Sequence, residues 1–379
     1  MDYLLTEEQK MLREMVDNFG KDNILPVASK IDEEDAFPHD LVKQIGELGL
    51  MGIAYPEEYG GAGMDSISYM LAVEGLSRYS AAIGVIVSAH TSLAVDPIFT
   101  YGTEEQKKKY LPALCSGEHI GCYALTEPNA GSDAAHIRTR AELKGDTWVL
   151  NGSKTFITNG KEAKIAVVFA VTDPEKGHKG ISAFIVETDT PGFKVGKLEK
   201  KLGIKGSSTA EIILEDCAIP KENLLGEVGQ GFKIAVLTLD GGRLGIASQA
   251  LGIARAAIED AIAYSKERVQ FGKPIAEFQG LKWYMAEMAT EYDAAWLLTW
   301  RASKMKDMGI PYYKEASMAK WKASEVAELC ASKAIQIHGG YGYIKEFNPE
   351  RYYRDAKITQ IYEGTSEIQK EIISHWLLK

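Results

Sequence analysis

At 379 residues the chain is too long for one ordinary core and implies two or three domains. Its 45% hydrophobic and 25% charged content are those of a soluble globular protein, and a net charge of −10 argues against a nucleic-acid partner, which would need a basic face. No run of about 18 apolar residues is evident, so no membrane span is expected, and the acidic start Met1–Glu8 is neither a secretory signal nor an Arg-rich transit peptide.

The first third reads as helical. Thr6-Glu7-Glu8-Gln9 is a capping box, followed on one face by Met11, Leu12, Met15, Val16 and Phe19, with Gly20 as the stop. Leu41 to Leu50 is a second amphipathic segment, and Pro56 to Gly63 is a loop by composition. Ser66 to Arg78 and Ala81 to Leu93 read as helices, the latter so poor in charge that it should be buried on most sides. Thr103 begins a further helix over Glu104 to Leu114.

Near Cys115 the pattern changes. Turn dipeptides multiply (Asn151-Gly152, Asn159-Gly160, Pro191-Gly192) between β-rich runs at Thr147–Leu150, Ala166–Val171, Ile181–Val186 and Ala210–Leu214, which predict an antiparallel sheet or barrel. From Gly231 the chain returns to long helices, Phe232–Arg268, Phe278–Met308 and Tyr312–Gly339, then a terminal helix, which together suggest a bundle. The predicted fold is therefore α+β and multidomain: an α-helical N-terminal domain over 1–115, a central antiparallel β-domain over 116–230 and a C-terminal helical bundle over 231–379. Cys115, Cys122, Cys217 and Cys330 form no CxxC pair and read as reduced, mostly buried thiols of a cytosolic protein. The histidines are scattered without paired spacing, which speaks against a metal site.

Several polar constellations have two readings each. Tyr123 to Asp133 offers small residues and hydroxyls that could form an anion nest or an ordinary turn loop. Phe156 and Thr158 alternate along a strand and so share a face, suited to a flat heterocycle or to sheet packing. Gly241-Gly242 interrupts a helix-length apolar run, and Arg243 beside it could hold a phosphate or pair with Asp240. Arg268 could clamp a pyrophosphate or serve a helix C-terminal dipole. His338, in a glycine-rich helix end, reads as structural. No G-x-G-x-x-G follows a strand, so a dinucleotide Rossmann domain is not supported. Near the C-terminus, Glu363 stands between Tyr362 and Gly364, and Thr365 and Ser366 can cap the helix that follows. This is either a capped turn or a carboxylate poised before an anion-binding helix end.

Taken together, Tyr123–Asp133, Lys154–Asn159, Leu239–Arg243, Glu267–Gly272, Gln336–Gly340 and Ile361–Glu367 resemble the motifs of the acyl-CoA dehydrogenase family, especially its short-chain, butyryl-CoA branch, in order over essentially the whole chain. The resemblance implies three domains ending in a four-helix bundle, non-covalent FAD and a homotetramer. It implies that Tyr123, Leu125, Thr126, Ser132, Phe156, Ile157 and Thr158 line the flavin. Arg268, Phe271, Gln279, Gln336, Ile337, Gly339 and Gly340 would bind the FAD of a neighbouring subunit, with Thr365 and Glu367 also on FAD. Ser132, Asp240, Arg243, Tyr362 and Gly364 would contact the CoA thioester. Relatives often carry Trp where Phe156 stands.

The same resemblance makes Glu363 the base that removes the thioester α-proton. The enolate oxygen would be met by the Glu363 backbone N–H and a ribityl hydroxyl, and the β-hydrogen would pass as hydride to flavin N5, giving a trans-2-enoyl-CoA. Electron-transferring flavoprotein would reoxidise the flavin. Isovaleryl-type relatives carry their base at the position of Gly242, so glycine there and glutamate at 363 point to the straight-chain type. Glutaryl-type and some cyclic-acyl relatives carry Arg or Asp in the stretch matching Ser88–Leu93, where Thr91 and Ser92 are neither. Trp283, Trp296 and Trp300 are expected in the core. Two alternatives stand beside this reading: a reductase or dehydrogenase acting on a cyclic or aryl acyl-CoA in a flavoprotein complex, and a non-catalytic CoA-binding subunit.

Overall fold

Thr6 caps the first helix as its sequence predicts: its hydroxyl accepts from the Gln9 N–H at 3.2 Å, and the Gln9 side chain answers the Thr6 N–H at 3.0 Å. The structure, a computed structural model, describes Asp2–Lys379; of the predicted N-terminal stretch only Met1 lies outside the described residues. Helices α1 (Glu7–Phe19), α2 (Ala28–Glu34), α3 (His39–Glu47), α4 (Ser66–Tyr79), α5 (Ala81–Ala89), α6 (Asp96–Tyr101) and α7 (Glu104–Cys115) make the first domain. Gly20 does not stop α1. It is right-handed helical, and the chain continues through a π-turn over Gly20–Ile24. Packing explains the glycine, because a β-carbon there would run into the ring of Tyr79.

The expectation that no long apolar run exists is corrected at Ala81–Tyr101. There α5, a π-turn over His90–Val95 and α6 form one helical stretch long and apolar enough to cross a membrane. It is instead an interior helix, with 89% of its apolar window buried inside the protein. An isolated helix of this kind passes the same length test as a membrane span, and tertiary packing separates the two.

The second domain is one sheet of β1 (Gly121–Ala124), β2 (Arg140–Lys144), β3 (Thr147–Thr158), β4 (Ile165–Val171), β5 (Ile181–Glu187), β6 (Phe193–Leu198), β7 (Thr209–Pro220) and β8 (Leu224–Leu225). Its order is β6-β7-β3-β2-β4-β5-β8, with β1 added on β4. The neighbours are mostly antiparallel, as predicted, but β1 runs parallel to β4, pairing Tyr123 with Val167. β4 and β5 are buried along nearly their whole length, with one apolar cluster on each side of the sheet.

The third domain opens with α8 (Gly231–Glu267), which passes through Gly241-Gly242 without a break, as the predicted helix over Phe232–Arg268 requires. A small hairpin, β9 (Val269–Gln270) with β10 (Lys273–Pro274), precedes α9 (Gln279–Asp307) and α10 (Tyr313–His338). The chain then forms α11 (Pro349–Ile358) and α12 (Ser366–Leu377), and the turn between them carries Glu363. The core of this domain is lined by small residues of α8 and α10, so the two helices approach closely, and α4 of the first domain joins the same core. Trp296 is in the core and Trp300 packs against it, but Trp283 lies on the surface at 65% exposure.

Candidate active site

Two left-handed residues set the direction of the Glu363 side chain. Glu363 has φ of +52° and Gly364 of +96°. Gly364 is a natural tenant of that region, but a glutamate there costs on the order of 1 kcal/mol or more and persists only where neighbours hold it. They do. Tyr362 donates its hydroxyl to the Gln249 side chain on α8. Gln369, one turn into α12, donates to the carbonyls of Gly364 (2.9 Å) and Glu363 (3.3 Å). Lys320 on α10 donates to the Gly364 carbonyl at 2.6 Å. Thr365 caps α12, accepting from the Ile368 N–H at 3.3 Å.

The carboxylate so aimed is left free. Oε2 of Glu363 is buried with no hydrogen-bond partner, and the Glu363 backbone N–H makes no hydrogen bond among the described residues. Burial pushes the carboxyl up to about 7, against Lys320 and Arg243, whose charges pull it down. Arg243 is itself buried, ion-paired with buried Asp240, while its Nε has no partner. Burial pushes the Asp240 carboxyl up to about 6, with Arg243 opposing. On the far side, Gly242 lies against the Glu363 carboxyl and Leu93.

The other predicted residues fall into two groups. Tyr123, on β1, donates to the Ala235 carbonyl at 3.2 Å and feels the charges of Glu363 and Arg243, so it belongs with the first. Leu125 and Ile157 are buried, Thr126 and Thr158 half-buried, and Ser132 exposed. Phe156 departs from simple alternation with Thr158: it has φ of +58° and sits where the β3–β7 register slips between Lys154 and Ile157. The bulge turns its ring outward, to 63% exposure. Glu367 is in the first turn of α12.

Arg268, Phe271, Gln336, Ile337, Gly339 and Gly340 all line one cavity of about 540 Å³ at the α8–β9 and α10 ends, and Gln279 follows the lining residue Phe278. The Arg268 guanidinium lies over the Tyr341 ring, 5.4 Å from its centre. His338 is structural as predicted, stacked on Tyr264 at 4.1 Å and bonded through Nδ1 to the Ala334 carbonyl at 2.8 Å.

Sequence reasoning missed three supports. Glu127 and Lys154 form a buried ion pair of 2.7 Å, and Glu127 also accepts from the Arg138 and Thr139 N–H groups. Together they fasten the Tyr123–Asp133 loop to β3. Gln369 and Lys320 clamp the Glu363 turn. A signal for Lys320 was present: it falls on the same helical face as Ala316, Ala323 and Ala327, all buried, where a lysine is out of place.

The site's residue types fit a flavin: an outturned aromatic on a strand bulge, hydroxyls beside it, a helix N-terminus whose Ser366 hydroxyl is buried without a partner, and an arginine in a glycine-rimmed cavity.

Comparison with known proteins bears on the whole chain. Residues 6–118 match the acyl-CoA dehydrogenase N-terminal domain, 122–217 the middle domain and 229–378 the C-terminal domain. The short-chain specific acyl-CoA dehydrogenase of Clostridium acetobutylicum is 54% identical over 374 residues, 99% of each chain. Butyryl-CoA dehydrogenase from Megasphaera elsdenii superposes with a TM-score of 0.98 at 47% identity, covering 100% of both chains. A chain in a solved structure of the electron transferring flavoprotein of Acidaminococcus fermentans superposes with a TM-score of 0.99 at 52% identity, again over 100% of both.

Proposed function

The chain belongs to the acyl-CoA dehydrogenase family of flavoprotein oxidoreductases, and from that premise we propose that it oxidises a short-chain, butyryl-like acyl-CoA to its trans-2-enoyl-CoA with Glu363 as the base. One observation carries the assignment: Glu363 is strained in backbone, and its carboxylate oxygen Oε2 is buried without a partner. A buried polar atom left unpaired costs about 1–3 kcal/mol, which evolution keeps where a reacting group is to arrive.

The chemistry follows from this chain's groups. A thioester α-proton is weakly acidic, so its removal needs a positioned base and a donor that stabilises the enolate oxygen. Glu363 takes the α-proton on the free Oε2. Its unengaged N–H is the donor offered to the thioester oxygen. Asp240 and Arg243, paired nearby, orient the CoA ester, with Ser132, Tyr362 and Gly364 at its edges. FAD, when bound, supplies the acceptor for the β-hydrogen. Phe156, Thr126 and Thr158 with Tyr123, Leu125 and Ile157 would hold its ring system, and Thr365 and Glu367 its chain. The Arg268 cavity, with Phe271, Gln279 and the Gln336–Gly340 segment, would serve a neighbouring subunit's FAD within a homotetramer. The exposed Phe271, at 93%, and Tyr343, at 82%, support a covered face there.

The electron acceptor in this reading is electron-transferring flavoprotein, supported by the flavoprotein named for the Acidaminococcus fermentans neighbour. The cytoplasm is the assigned compartment, in keeping with four free, buried cysteines. Anaerobic addition of butyryl-CoA to the yellow holoenzyme should bleach the flavin band. Unchanged turnover in Glu363→Gln, or a colourless protein that takes up no FAD, would refute the reading.

A further inference from the structure

Lys320 is 0% exposed on α10, among buried Ala316, Ala319, Ala323 and Ala327. Taking an ammonium out of water costs several kcal/mol, and an apolar side chain of like volume would pack the helix at no such cost. The hydrogen bond its Nζ makes runs to the Gly364 carbonyl. Gln369 accompanies it on that carbonyl and reaches the carbonyl of Glu363 as well. These two carbonyls belong to the two left-handed residues of the turn. A cation at this point therefore grips the backbone that decides where the Glu363 side chain goes.

We propose that Lys320 is a positioning residue for Glu363: through the Gly364 carbonyl it fixes the turn that aims the carboxylate at Gly242, and its charge sustains the ionised form of a carboxylate with no direct partner. The proposal rests on Glu363 being the base. Charges face Lys320 from three other elements: Glu363 on the turn, Arg243 on α8 and Glu367 on α12. Facing Glu363 are Lys320 and Arg243, together with the phenols of Tyr69 on α4, Tyr123 on β1 and neighbouring Tyr362. Burial lowers the Lys320 ammonium to about 7, with Glu363 and Glu367 holding it up and Arg243 adding to the fall. Lys320 and Glu363 thus titrate in one range as a coupled pair, each favouring the other's charge.

An infrared titration of the purified holoprotein, with Glu363→Gln as the blank, reads the protonated fraction of Glu363 against pH. Lys320→Met is expected to raise the midpoint by about one unit or more, tenfold in proton affinity. The pH profile of kcat/KM should move alkaline by the same amount, while Lys320→Arg keeps the midpoint within about threefold. An unmoved midpoint in Lys320→Met overturns the proposal, whatever happens to its melting temperature. If Lys320→Met does not fold, the same midpoint in Lys320→Gln decides by the same criterion. Activity surviving in Glu363→Gln would instead remove the base assignment, and the infrared midpoint, which needs no turnover, keeps the two failures apart.

Discussion

Oε2 of Glu363 fills the space that a β-carbon on Gly242 would need, and Leu93 Cδ2 stands 2.7 Å from the same point. The glycine in α8 therefore makes room for Glu363, because only a residue without a side chain lets the carboxylate lie there. Gly242→Ala should displace the carboxylate by about 1 Å and lower kcat/KM roughly 100-fold, while the helix propensity of Ala, worth about 1 kcal/mol, offsets part of the crowding against Leu93, so the melting temperature falls little. Steady-state rates with butyryl-CoA beside a thermal melt check both halves.

Replacing Glu363, the proposed base, has a larger and cleaner signature. Glu363→Gln should retain the flavin spectrum and acyl-CoA binding but lose about 100-fold to 10,000-fold in the rate of flavin bleaching. Stopped-flow mixing under anaerobic conditions measures it.

The raised Glu363 pKa fixes two pH dependences of opposite use. As the proposed base, Glu363 works ionised, so kcat/KM should climb as pH rises through about 7. Stability moves the other way. A folded-state pKa lifted from 4.5 to about 7 contributes stability that is whole below pH 4.5 and lost as pH rises through 7. At pH 8 the ionised carboxyl then costs about 3 kcal/mol relative to its protonated form. Glu363→Gln should accordingly gain stability on the parent between pH 5 and pH 8, as read by denaturant melts of the holoprotein.

The Glu127–Lys154 pair predicts a defect at a distance from the base. Lys154 is fully buried, burial lowers its ammonium to about 8, and Glu127 opposes that fall. Glu127→Gln leaves the ammonium with the Leu125 carbonyl at 3.1 Å and a neutral amide. Loss of one buried partner costs about 3 kcal/mol or more and loosens the Tyr123–Asp133 loop. A lower melting temperature and faster FAD loss on gel filtration are expected, with the Glu363 infrared midpoint unchanged.

Much of the architecture was legible because it rests on local signals: the capping box at Thr6, the helix start at Thr103, turn dipeptides between β-rich runs, and glycine before the α12 cap. Misreadings came where packing overrode a local rule. Gly20 looked like a stop but is a gap for Tyr79. Trp283 looked like core by its type and faces out. Ala81–Tyr101 did not look like a membrane-length helix, since two helical segments and a π-turn had first to join.

By itself the sequence determined the three-part order of helix, sheet and helix, and it marked Glu363, Asp240, Arg243 and the aromatic and hydroxyl residues around them, since residue type and short-range spacing are local properties. Only the tertiary structure decided that Glu363 is strained with its Oε2 buried and unpaired, that Gly242 makes room for it from 121 positions away in the chain, and that Lys320 reaches the turn from another helix. Burial and the electrostatics that follow from it depend on which distant segments meet, and no stretch of chain carries that information alone.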